Sequence, residues 1–99
     1  MKMVNIIPEY EAVTGKKVSP VIAQFAEQMD IIGKKIEDQG REDAARGLPV
    51  PSNDVFQAWS KKTVVVDAAV QEMVSDLLRL YYMDGYEQRT NREKMEVPA

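Results

Sequence analysis

At 99 residues, with 44% hydrophobic side chains and 13 basic against 16 acidic groups for a net charge of −3, the chain holds enough material for one small domain with one core. The negative balance gives no broad attraction to nucleic acid or anionic lipid, and with no cysteine and no histidine any nucleophile, general base or metal ligand must be a carboxylate, lysine, tyrosine or hydroxyl. The longest aliphatic run, Val64-Val65-Val66, is far short of the ~20 residues that span a bilayer, and no continuous apolar core follows Met1-Lys2-Met3-Val4-Asn5, so the expectation is a cytoplasmic protein (host cytoplasm if viral), or one exported without a cleaved signal.

Residues 1–17 read as a cap segment. Pro8 suits a first helical turn, and Gly15 closes a short run in which Ile6, Ile7, Tyr10 and Val13 can cover the open end of a bundle. One or two turns between Pro8 and Thr14 are expected.

The first long helix, about 19–46, opens on Ser19 as a side-chain cap with Pro20 at the first helical position. Val18, Ile22, Phe25, Met29, Ile32 and Ile36 then recur at alternating steps of four and three, the spacing of a seam against one partner helix. Asp30 with Lys34, Glu37 with Arg41 and Glu42 with Arg46 stand four apart in the favourable order and predict a solvated outer face. Beside the seam runs a column of small residues seven apart, Ser19, Ala26, Gly33, Gly40 and Gly47. An interior glycine costs about 1 kcal/mol against alanine, so Gly33 points to a site where a ring or another backbone comes close. An alternative ends the helix at Gly40 in a left-handed cap.

Gly47-Leu48-Pro49-Val50-Pro51 cannot continue a helix, because each proline pushes its predecessor out of the α region. A second long helix, about 53–84, follows a cap at Ser52 or Asn53, with Asp54 in its first turn. Phe56, Trp59, Thr63, Val66, Val70, Met73, Leu77 and Leu80 step by three and four along it until Asp84-Gly85 supplies a stop, and this period outweighs the strand preference of the three valines. Residues 86–99 read as a polar tail, mobile or ordered only on a partner, in which Arg89, Arg92 and Lys94 are neutralised by Glu87, Glu93 and Glu96.

The predicted fold over 18–85 is all-α, an antiparallel helical hairpin with a short N-terminal helical segment. A reversal near residue 50 sets Gly40 across from Trp59 or Ser60 and Ser19 across from Tyr81, so Ala26, Gly33, Gly40 and Trp59 are the expected positions of close helix packing. Val64, Val65, Leu78 and Tyr82 fall on the outer side of the second helix, which predicts a partner or oligomer interface and completion as a four-helix bundle by dimerisation.

One arrangement suggests chemistry. Glu27 and Asp30 stand three apart on the first helix and Glu72 and Asp76 four apart on the second, at one height in the hairpin, where four carboxylates could hold Mg²⁺ and a phosphate. In this the chain resembles the all-α nucleoside-triphosphate pyrophosphohydrolases, and the resemblance implies a magnesium-dependent enzyme. Neither pair has that family's Glu-x-x-Glu form, however, and heptad position turns Glu27, Asp30 and Glu72 toward water. Pro49-Val50-Pro51-Ser52-Asn53 resembles the turn of the needle and rod subunits of type III secretion, which implies a self-assembling subunit of a secretion or virion assembly. Those subunits finish inside their second helix, whereas this chain continues past Gly85. The leading expectation is a non-catalytic helical module without catalytic residues, metal or cofactor. It binds a larger protein complex, self-associates, and is similar in style to the small accessory proteins and inhibitors of bacteria and their phages.

Overall fold

Met3, Ile6 and Tyr10 are spaced three and four apart, and they form the buried stripe of the first helix, α1 (Met3–Thr14), in a computed structural model that describes residues 3–96, the side chains of Val4 and 88–96 excepted. The helix begins earlier than its proline suggests. Pro8 lies inside α1 on the exposed side, where it forfeits only the bond its missing N–H would have given to Val4. Gly15, at φ 70°, closes α1 with its N–H on the Glu11 carbonyl at 2.9 Å. Ile7 is half-buried, and Val13 stays 71% exposed.

The expected first long helix is divided. Ser19 accepts the Val21 N–H at 3.3 Å and starts α2 (Pro20–Ala23), but Gln24 and Phe25 donate to carbonyls three residues back instead of four. That tighter winding ends α2 after one turn, and α3 (Ala26–Ala45) restarts from Phe25 at φ −124°. Gly40 does not end α3. Gly47 does, at φ 71°, with its own N–H on Ala44 and that of Leu48 on Asp43. The buried stripe of α3 is Met29, Gly33, Glu37 and Gly40, while Ile32 and Ile36 are half-buried. Gly33 and Gly40 of the small column therefore face inward beside Met29 of the aliphatic seam, whose Ile32 and Ile36 lie at the edge. Glu37, expected on the solvated face, is buried with its carboxylate on Arg41 at 3.2 Å.

The second long helix is divided as well. α4 (Asn53–Thr63) stops where Val64 turns fully extended, φ −157° and ψ 145°, and α5 (Ala68–Glu96) begins four residues later. Asp67 caps α5 by accepting the Val70 N–H at 3.1 Å. Here the strand preference of the valines overrides the helical period, because a cap and a side-chain clasp stand ready to hold the turn. Gln71 spans it: its amide donates to Ser60 Oγ at 2.9 Å and to the Val64 carbonyl at 3.1 Å, and accepts the Val66 N–H at 3.1 Å.

From α3 onward the chain thus reverses twice, and the single hairpin is corrected to an all-α arrangement of five helices around α5, with no strand among the described residues. α5 touches each of the other four helices, α3 most extensively. At ~1.5 Å per residue its 29 residues extend about 43 Å, most of the molecule's 49 Å long dimension. α4 lies antiparallel on α5, pairing Asn53 with Arg79 at 2.9 Å and Ser60 with Gln71. Gly40 consequently meets the backbone of Tyr82 and Tyr86 and not Trp59, while the Tyr81 ring covers Gly33 and does not face Ser19. Gly85 is no stop: α5 runs through it to Glu96, and its bare Cα admits the Glu37 carbonyl. Helical backbone thus occupies the first part of the expected tail, through Glu96, and Tyr86 at its start donates to the Leu48 carbonyl at 2.8 Å. The charge balance read on Arg89, Arg92, Glu93, Lys94 and Glu96 lies outside the described side chains, as do Met1, Lys2 and residues 97–99 altogether. No described helix is long and apolar enough to cross a membrane.

Candidate functional site

α1 does not lie flush on α5. Its last turn stands off, and between Tyr10, Val13 and Thr14 on one wall and Asp76, Leu80 and Met83 on the other lies a groove of about 350 Å³, with Arg79 at its rim. The apolar lining follows from two stripes that overshoot their partners, since Val13 continues the α1 stripe past the point where α5 can cover it. A smaller cleft of about 100 Å³ continues along α5, sharing Tyr10 and Asp76 and adding Lys16, Glu72 and Met73.

Two acidic side chains, Glu72 and Asp76, and two basic ones, Lys16 and Arg79, border this edge. Asp76 is open to solvent overall, yet its carboxyl is raised above the ordinary carboxylate range, first by burial against the groove wall and then by Glu72 one turn away, with Lys16 and Arg79 opposing. Neither Asp76 nor Glu72 has an ion pair among the described residues, and Arg79 is engaged by the Asn53 side chain. Ion pairing is concentrated instead on α3, where Arg41 meets Asp38 at 2.7 Å and Arg46 meets Glu42 at 2.6 Å.

The residues expected to form an outer interface are dispersed. Leu78 and Tyr82 are both 0% exposed: Leu78 belongs to the central core, and Tyr82 is packed by Phe56 and Trp59 of α4, which the second reversal folds onto α5. Val64 is half-buried, while Val65, in the turn, is 82% exposed. Tyr82 donates to Asp43 at 2.6 Å and packs edge-on against Phe56 at 5.5 Å, with Trp59 at 6.2 Å. Trp59 lies half-buried beside Phe56, and Ala26 is half-buried at the start of α3. A Cβ added at Gly33 would stand 2.5 Å from the Tyr81 ring, and one at Gly40 would overlap the Tyr82 carbonyl.

The four carboxylates of the magnesium reading are not assembled. Glu27 is exposed, and Asp30 accepts the Met3 N–H at 2.6 Å, which anchors α1 to α3. Glu72 and Asp76 sit together on α5, and no group of three or more acidic side chains among the described residues is placed to hold a metal ion. The groove residues Lys16, Arg79 and Met83 and the clasp Gln71 carry no motif in sequence. The usable signal was Asp67, a cap residue directly after a β-branched run.

No protein-family model, curated protein or solved structure matches the chain.

Proposed function

We propose that this chain is a non-catalytic helical interaction module, a cytoplasmic accessory or regulatory protein of bacterial or phage type, that receives an amphipathic helix of a protein partner in the groove between α1 and α5. The observation that carries this reading is the pairing of an open apolar groove, with Val13 at its lip and Leu80 and Met83 in its wall, with two neighbouring carboxylates, Asp76 and Glu72, that make no ion pair among the described residues. A helix laid in such a groove anchors through apolar residues at steps of three and four, and a lysine or arginine at its edge would relieve the Asp76–Glu72 repulsion.

A synthetic leucine–lysine amphipathic helix titrated by fluorescence anisotropy is a direct probe. Val13→Glu and Met83→Glu should each weaken its binding about tenfold or more, whereas Ile31→Glu, on an exposed part of α3 outside the groove, should leave it unchanged. Equal affinity for all three variants, or no affinity for the wild type, would refute the reading.

A further inference from the structure

The reversal over residues 64–67 contains neither glycine nor proline. Of the residues that dominate turns, Gly, Pro, Asn, Asp and Ser, the segment has only Asp67. Here Val64 takes ordinary extended dihedrals, and no described non-glycine residue has a positive φ, so no left-handed residue in the segment forbids helix. The apolar stripe also keeps its phase across the break. Phe56, Trp59 and Thr63 before it and Val66, Val70 and Met73 after it alternate steps of three and four, so straightening the turn would place all of them on one face of a single helix.

The clasp is replaceable in the same way. Gln71 satisfies the Val64 carbonyl and the Val66 N–H only because the turn leaves both without a helical partner. In a continuous helix the Val64 carbonyl would accept from Ala68, and the Val66 N–H would donate to Lys62.

We infer that residues 64–67 are a hinge through which two copies of this chain exchange their α1–α4 segments. In the exchanged dimer α4 and α5 of each copy form one helix. Each α4 then packs on the partner's α5 through the contacts it makes within one chain now. The register supports a two-fold arrangement: the pairings Asn53–Arg79 and Ser60–Gln71 both centre on residues 65–66. Two straightened helices in that antiparallel register cross at Val65 and Val66, so Val65, 82% exposed in the single chain, meets its own copy at the axis. The α1/α5 groove is then built from both chains, whatever it binds.

The absence of cysteine makes the test clean. The full chain carrying Asn53→Cys and Arg79→Cys, both at exposed positions, is refolded at high and at low concentration, separated by size exclusion and treated with a short bis-maleimide crosslinker. The dimer fraction should give covalent dimers on a denaturing gel, and the monomer fraction only internally linked chains. Gln71→Ala in the unlabelled chain removes the clasp and should shift the monomer–dimer equilibrium about tenfold toward dimer. A four-residue Gly-Ser insertion after Val65 should abolish dimer, since a long flexible turn closes within one chain. Dimers that crosslink only internally, or a protein that stays monomeric at every concentration with and without Gln71→Ala, would overturn the inference.

Discussion

Tyr81 and Tyr82 are consecutive, both fully buried, and opposite in what their hydroxyls find. The Tyr82 hydroxyl donates to Asp43 at 2.6 Å, while that of Tyr81 is buried close to Asp30 but makes no hydrogen bond of ordinary geometry to it, since that carboxylate already serves the Met3 N–H. An unpaired buried hydroxyl carries its desolvation cost uncompensated, whereas one bonded to a carboxylate repays it. Tyr82→Phe should therefore lower stability by about 1–2 kcal/mol, and Tyr81→Phe should leave it unchanged or raise it; urea melts of the two variants decide the matter. Both phenols are held well above the ordinary tyrosine range, each first by burial and then by its carboxylate, Asp30 for Tyr81 and Asp43 for Tyr82. A raised folded-state value means the unfolded chain loses its protons first. The stability these phenols contribute is complete below pH ~10 and is lost as pH rises above it, so alkaline titration followed by tyrosinate absorbance should show them ionising only as the helical signal collapses. Gly85 makes the sharpest steric case. A Cβ there would overlap the Glu37 backbone, which has no flexible end to move aside, so Gly85→Ala should lower the melting temperature by about 8 °C or more.

At the scale of elements, the all-helical class, the Ser19 start, the Gly15 and Gly47 ends and the reversal after Ala45 were legible, because each rests on a local residue whose chemistry admits few alternatives. What sequence periodicity could not reveal was which of two faces of α3 goes inward. An aliphatic seam and a small-residue column both run at helical spacing, and the column wins because Gly33, Gly40 and Gly85 let backbones and tyrosine rings approach more closely than isoleucines would allow. The break at residues 64–67 was hidden for a related reason: the period continues through it in phase, and only the order of a β-branched run followed by Asp67 marks it. The groove was not legible at all, since it depends on where α1 stops short of α5, a tertiary distance. Asp67→Ala tests whether the cap holds the break. Losing it should cost about 1 kcal/mol, or roughly 4–8 °C in melting temperature, and proteolysis should quicken within residues 64–67.

For the whole molecule, a groove that receives a cationic helix would set recognition against stability at one side chain. Asp76 is raised by burial and by Glu72, so its ionised form is the less favoured one in the folded state. Its protonated form adds stability below the ordinary carboxylate range, and that increment is lost as pH rises through the elevated folded-state value. At neutral pH the protein therefore carries a charge that its own fold disfavours, on the wall of the α1/α5 groove. Asp76→Asn should raise the melting temperature at pH 7, with the gain vanishing near pH ~3 where the wild-type carboxyl is protonated in both states. If the groove receives a cationic helix, the same substitution should weaken binding of the leucine–lysine probe and flatten its dependence on salt, because the ion pair it removes is the screened part of the interaction. A variant that is more stable yet binds less marks a carboxylate kept for recognition. A variant that is more stable and binds equally well would mark Asp76 as an ordinary helix residue and move the partner's cation to Glu72.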